Sequence, residues 1–195
     1  SQKNKIKESD FNLNKEIYPR YFGGAWMKIF SEKMCDFYSR FGRNKYTVIR
    51  HSNIYGPHDK FDLKKSHVFG ATISKVLNTK NNKIIIWGDG KEKRDLLYIK
   101  DLLNFINNSI KNQKNNFDIF NVGYGSSISI NDLTRKIAKI SKKKIILKHD
   151  MTKKSLKTNV ILDCKKSNKI LGWKKRYTLD KGISETIKWY KKHIK

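Results

Sequence analysis

The sequence predicts an α/β fold, and three observations carry that prediction. Short β-branched and apolar runs, among them Tyr46-Thr47-Val48-Ile49 and residues 83–87, alternate with segments of helical spacing. Polar caps and glycine turns fall between them, as at Ser129, Thr178 and Gly88-Asp89-Gly90. The strand at 46–50 runs into a polar loop and returns through a helix start, which is where open α/β sheets place ligands.

Residues 1–20 are polar and aperiodic and read as a loop or mobile leader. Over residues 25–41, Trp26, Phe30, Met34, Phe37 and Phe41 recur every three or four positions. Met27, Cys35 and Tyr38 add apolar area on other sides, so this helix is expected to be covered on more than one face. Gly42 is read as its C-cap. The strand over 46–50 breaks into a loop at 53–57, where Gly56-Pro57 signals a turn. Ser66 is expected to cap a helix over 67–78 that turns Val68, Ile73, Val76 and Leu77 inward.

Strands follow at 83–87 and 94–99, and Asp101 is expected to cap a helix over 102–111 with Leu102, Leu103, Phe105, Ile106 and Ile110 at helical spacing. A strand at 117–122, a loop at 123–127 and a helix from Ser129 to about Ser141 come next. The chain continues with a strand at 145–148 and a basic loop at 149–159. A short helix is expected to run from an Asp163 cap to Gly172. Thr178 caps the last helix, with Leu179, Ile183, Ile187 and Tyr190 on one face.

Composition excludes several classes. At 195 residues with 37% hydrophobic and 12% aromatic content, the chain can bury a core or be part of a larger two-domain protein. No apolar run approaches the roughly 20 residues of a membrane span. Two cysteines, Cys35 and Cys164, make no disulfide framework and have no metal-ligand spacing, so no metal site is expected and a reducing cytoplasm is. The net charge of +27 would attract nucleic acid nonspecifically. Yet its lysines are spread along the chain, and sequence readers lean on Arg for bidentate contacts, which argues against dedicated nucleic-acid binding.

The loop after the first strand concentrates chemistry: Arg50, His51, Asn53, Tyr55, His58, Asp59, Lys64, Lys65 and His67. On spacing alone it is an ordinary strand-to-helix connection with a solvated face. The string NIYGPHDKFD followed by SHVFGA, however, resembles the extended short-chain dehydrogenase/reductases that act on nucleotide sugars, most of all the GDP-L-fucose synthases. The resemblance continues through IIIWGDGKEKRDLLYIKDL, NVGYGSSISINDL and KILGWKKRYTLDKGISETIKWY, and so covers nearly everything from Tyr21 onward.

It implies a partial Rossmann-like fold without the N-terminal dinucleotide-binding strands, joined to an α/β substrate-binding domain. Residues 1–55 would be the Rossmann remnant, and 56–195 mainly the substrate domain interleaved with late Rossmann elements. Such a piece alone is expected to expose apolar edges. The resemblance also implies a GDP-sugar substrate, an NADP(H) or NAD(H) cofactor and a homodimer built on the 25–41 helix.

The same resemblance assigns roles. Lys28 would hydrogen-bond the nicotinamide ribose and lower the pKa of a catalytic Tyr four positions earlier, but Gly24 stands there. Tyr21 is the nearest phenol, and a flexible Gly23-Gly24 pair would let it fold back toward the site; otherwise it is a packing residue. His67 would be an acid in epimerisation, against the alternative of a helix-terminal His bonding its own loop. His51, Ser52, Asn53 and Ile54 would contact the nicotinamide end of the cofactor, together with Lys28 and His67. Lys75, Trp87 and Arg94 would hold the nucleotide diphosphate, a cation pair suiting two phosphates. Taken alone, Lys75 is a surface lysine and Trp87 a strand-end core residue. His58 and Asp59 are read as shaping the loop. Three readings stay open: an epimerase/reductase, a nucleotide-sugar-binding relative without redox chemistry, and a polyanion-binding basic protein.

Overall fold

The computed structural model describes residues 5–153 and 159–194. In chain order, α1 spans Phe22–Ser39, β1 Tyr46–His51, β2 Asn53–Tyr55, α2 Val68–Asn78 and β3 Lys83–Trp87. Next come β4 at Lys93–Tyr98, α3 at Ile99–Asn112, β5 at Phe117–Val122 and β6 at Ser127–Ser129. The chain ends with α4 at Ile130–Ile140, β7 at Ile146–Asp150, α5 at Lys165–Leu171 and α6 at Leu179–His193. The pairing is mostly parallel, which requires the helical crossovers seen between paired strands. β1 runs parallel to β5 from Tyr46↔Phe117 to His51↔Val122. β2 runs parallel to β4, and β3 parallel to β7. Among the described residues only β4 and β6 pair antiparallel, with Arg94 opposite Ile128.

β4 divides two cores, because successive side chains of a strand point to opposite faces. Leu96 and Tyr98 enter a large cluster with Phe69, Ile73 and Val76 of α2, Leu133 and Ile137 of α4, and Ile183 and Ile187 of α6. Leu97 faces the other way, into a smaller cluster with Phe105 of α3, Phe120 and Val122 of β5, and Leu171 and Trp173.

The expected α/β alternation holds, and the differences from it have local causes. The leader is docked. Ile6 bridges Leu162, its N–H donating to Ile161 O at 2.8 Å and its carbonyl accepting from Asp163 N at 2.8 Å. Glu8 accepts from the Asn121 N–H at 2.7 Å, and Arg50 Nη1 donates to the Glu8 carbonyl. Residues 1–4 lie outside the described residues, as does the 154–158 part of the expected basic loop.

β2 and β6 are additional short strands inside stretches read as loops; each borrows its ladder from β4, a partner that local periodicity does not reveal. α1 begins at Phe22 rather than 25 and ends at Ser39, with Arg40 as C-cap and Gly42 beyond it at φ +70°. The C-cap is therefore Arg40 and not the expected Gly42.

Ser66 does not cap α2. The N-cap is His67, without a side-chain bond; the Ser66 N–H is tied back to Asp62 O at 2.8 Å, and its hydroxyl is buried away from the helix N–H groups. Asp101 does not cap α3 either: it lies in the first turn, and its carboxylate accepts from the N–H groups of Arg176 and Tyr177. For α5 the cap position is Cys164, although Asp163 Oδ1 does accept from Lys165 N at 2.8 Å. Gly172 closes α5 at φ +65°, while Ser129 and Thr178 cap α4 and α6 through their hydroxyls.

Candidate functional site

The loop leaving β2 is shaped by its packing. At Gly56, φ is +155° and a Cβ would collide with Ile99, so no other residue fits. His58 takes φ +66°, and its ring lies 4.6 Å from Trp189 of α6, which stacks in turn on His193 at 4.8 Å. Phe61 stacks on the same indole and is buried beside Tyr190. Asp59 is half-buried; desolvation pushes its carboxyl above the usual range, and the charge of His67 opposes that push. His67 itself is exposed at the start of α2.

Eight residues along α2, Lys75 reaches over β3. Its Nζ donates to Ile85 O at 2.9 Å and lies 5.7 Å from the centre of the Trp87 indole. Burial holds its ammonium below the usual lysine range. Trp87 is 57% exposed, which corrects its reading as a core residue. The strand alternates Ile84 and Ile86 inward against Ile85 and Trp87 outward, so the indole offers one face to solvent beside a cation.

Arg94 enters β4 half-buried, with Nη1 donating to Lys93 O at 2.9 Å. It lines a cleft of about 310 Å³ with Tyr124, Ser126, Ser127, Lys136 and Asp180, the last two joined by a 2.6 Å ion pair. Neither His67 nor Lys75 lines that cleft. The structure thus brings Lys75 and Trp87 together and gives Arg94 a cavity of its own.

Residues 51–54 follow the carboxyl end of β1. The Ser52 N–H donates to Val122 O at 2.9 Å, and the Asn53 amide donates to Asp95 O at 3.1 Å. His51 is exposed and its Nδ1 contacts Ser52 O. Asp95 is a residue sequence reasoning missed. Buried at 1% exposure, its carboxylate accepts from the N–H groups of Tyr124, Gly125 and Leu162. Burial raises its carboxyl above the usual range, with the backbone donors pulling it back. Its neighbour Arg94 was the only signal.

Lys28 is exposed on α1, and Gly23 and Gly24 are regular helical residues. The expected hinge at Gly23-Gly24 is absent. Tyr21 is the N-cap, half-exposed and tilted against Tyr18 with ring centres 6.0 Å apart. Its side chain leaves the helix about 10 Å of axis away from Lys28. A Cβ on either glycine meets nothing within 4 Å, so the face beside Lys28 is open. An exposed ammonium on an open face fits the ribose of a nicotinamide nucleotide. Cys164, by contrast, is an inward-turned thiol: it accepts from Gly123 N at 3.1 Å, and burial pushes it up to about 11. Among the described residues, no helix is long and apolar enough to cross a membrane.

Residues 16–123, more than half of the chain, match the NAD dependent epimerase/dehydratase family. The chain belongs to that family. It is 32% identical to a GDP-L-colitose synthase of Yersinia pseudotuberculosis over 93% of its own length and 60% of the relative's. Against the GDP-L-fucose synthase of Escherichia coli K12 the identity is 29%, over 85% of this chain and 55% of that one. A UDP-glucose 4-epimerase of Thermotoga maritima, solved with UDP-glucose, shares the fold with a TM-score of 0.79 at 23% identity, covering 97% of this chain and 58% of the other. The chain therefore spans between about half and three-fifths of the length of such relatives.

Proposed function

We propose that the chain is the substrate-gripping part of a nucleotide-sugar epimerase/reductase of the GDP-L-fucose synthase type, turning GDP-4-keto-6-deoxymannose into GDP-L-fucose or a related GDP-sugar. The observation that carries this reading is the Lys75–Trp87 pair: a half-buried ammonium beside a solvent-facing indole. Such a pair suits a flat base stacked next to phosphate charge. Arg94, in a cleft of its own, supplies the planar donor that a diphosphate takes in two bonds.

His67, exposed where α2 starts, would move a proton at a ring carbon next to the substrate carbonyl. Lys28 would hold the nicotinamide ribose, with residues 51–54 lining the ring. When bound, NADP(H) or NAD(H) would supply the hydride. Two subunits would pair through the aromatic face of α1. Binding of GDP-4-keto-6-deoxymannose, measured by calorimetry, tests the grip: the reading expects GDP-sugar to outcompete UDP-sugar, and Lys75→Ala or Arg94→Ala to weaken it. Equal affinity of both variants and the parent would end the proposal.

One observation favours a second reading, a relative that binds the nucleotide sugar without redox turnover. Gly24 stands in regular helix one turn before Lys28, where the resemblance places the catalytic phenol. NADPH oxidation by the whole protein supplied with GDP-4-keto-6-deoxymannose separates the two, since the second reading expects binding and no oxidation. Tyr21→Phe adds a control: turnover lost in that variant alone assigns the proton to Tyr21.

A further inference from the structure

Trp87 and Arg94 are joined by a turn with one internal side-chain bond, from the Lys91 N–H to Asp89 Oδ1 at 3.0 Å. Gly88 and Gly90 both occupy the left-handed region, at φ +68° and +66°, so the connection is built on two hinge-prone residues. The other bonds that fix it come from elsewhere in the chain. The Gly88 N–H donates to Asp150 O at 2.9 Å, and Ile130 N donates to Glu92 O at 3.1 Å. Asn131 adds two more bonds: its backbone N–H donates to Gly90 O at 3.0 Å, and its Nδ2 donates to Asp89 O at 3.0 Å. A Cβ on Gly90 would collide with the Asn131 carboxamide, so the two lie in close contact.

The carboxamide is itself oriented. With Nδ2 committed to Asp89, Oδ1 is the acceptor that faces His149 Nε2 at 2.9 Å, and the imidazole must carry its proton there. Just upstream, β6 ladders onto β4 with Ile128 opposite Arg94. One stretch, 127–131, therefore grips Arg94 by its strand and the far end of the same turn by an amide. Asn131 touches neither Trp87 nor Arg94 among these bonds; it acts through the turn that spaces them.

We infer that Asn131, oriented by His149, is a positioning residue that sets the separation between the Trp87 indole and the Arg94 guanidinium, and so selects a ligand whose flat base and diphosphate must be engaged at once. This rests on the assignment of Trp87 and Arg94 to the nucleotide sugar. The physical basis is pre-organisation: a turn held in its bound shape costs the ligand nothing to order, whereas a loosened one costs affinity only when both ends are used. A ligand touching one end should not register the loss.

The test uses the whole protein and three probes: a GDP-sugar that spans both ends, guanosine alone and inorganic pyrophosphate alone. Asn131→Ala is expected to weaken the GDP-sugar about fivefold to tenfold, with guanosine and pyrophosphate affinities unchanged. Asn131→Asp keeps the acceptor for His149 and deletes the donor to Asp89, and should fall close to the alanine variant. His149→Ala, at an exposed position, should give a smaller loss of the same selectivity, and it serves if Asn131 variants fold poorly. Uniform weakening of all three probes would make Asn131 merely structural and overturn the inference. An unchanged GDP-sugar affinity in Asn131→Ala and His149→Ala, with Trp87→Ala and Arg94→Ala both weakened, would overturn the positioning role alone. If Trp87→Ala and Arg94→Ala also bind normally, the site assignment falls and the inference with it.

Discussion

α1 and α2 carry comparable apolar periodicity, yet they meet opposite fates in the same chain. α2 buries Phe69, Ile73 and Val76, with Phe69 at 2% exposure and its ring tilted against Tyr55, centres 4.2 Å apart. α1 fully buries only Ser39 and leaves Trp26, Phe30 and Phe37 at 43%, 66% and 50% exposure. The contrast teaches that a stripe in sequence announces a buried face without saying what buries it. α2 finds α4 and α6 within the chain, whereas the aromatic face of α1 has no such cover among the described residues. A patch of that kind marks an interaction surface.

The comparison can be broken most forcefully from the packed side. Phe69→Ala is expected to cost about 3–5 kcal/mol in chemical denaturation, as large-to-small changes in filled cores do. Next is binding: Arg94→Ala should weaken GDP-sugar affinity by about 2 kcal/mol, the scale of a charge-assisted bond, in calorimetric titration. Arg50→Ala tests what holds α1 to the leader. Arg50 forks onto Glu32 of α1 at 2.9 and 2.6 Å while holding the Glu8 carbonyl, and its loss should cost roughly 1–2 kcal/mol and free the leader to proteolysis.

On the unpacked side, Phe30→Ser should change monomer stability by no more than about 0.5 kcal/mol. It should instead reduce self-association in sedimentation, as the proposed subunit pairing requires. The finest effect is electrostatic. Because burial raises the Asp95 carboxyl, its stabilisation is present below the ordinary aspartate range and is lost as pH rises through the folded value. Wild type should therefore gain on Asp95→Asn as pH falls, in denaturation curves taken across the acid range.

Legibility followed how local each signal was. Ser129 and Thr178 were readable as caps because their hydroxyls meet N–H groups three residues on. Asp101 looked identical and failed, since its carboxylate is claimed by Arg176 and Tyr177 far along the chain. Ser66 failed because its own N–H is tied back into the preceding loop by Asp62 O, which leaves the cap position to His67. The docking of Ile6 on Leu162 and the ladders of β2 and β6 depend on distant partners, which no window of a dozen residues contains. At the site, the motif named Lys75, Trp87 and Arg94, but neither the outward turn of Trp87 nor the Asp95 and Asn131 bonds could be read without coordinates.

The indole of Trp189, held between His58 and His193, carries a practical lesson for anyone shortening this polypeptide. The final helix is a bolt on the signature loop. Trimming the last turns would remove the indole against which His58 and Phe61 of that loop pack.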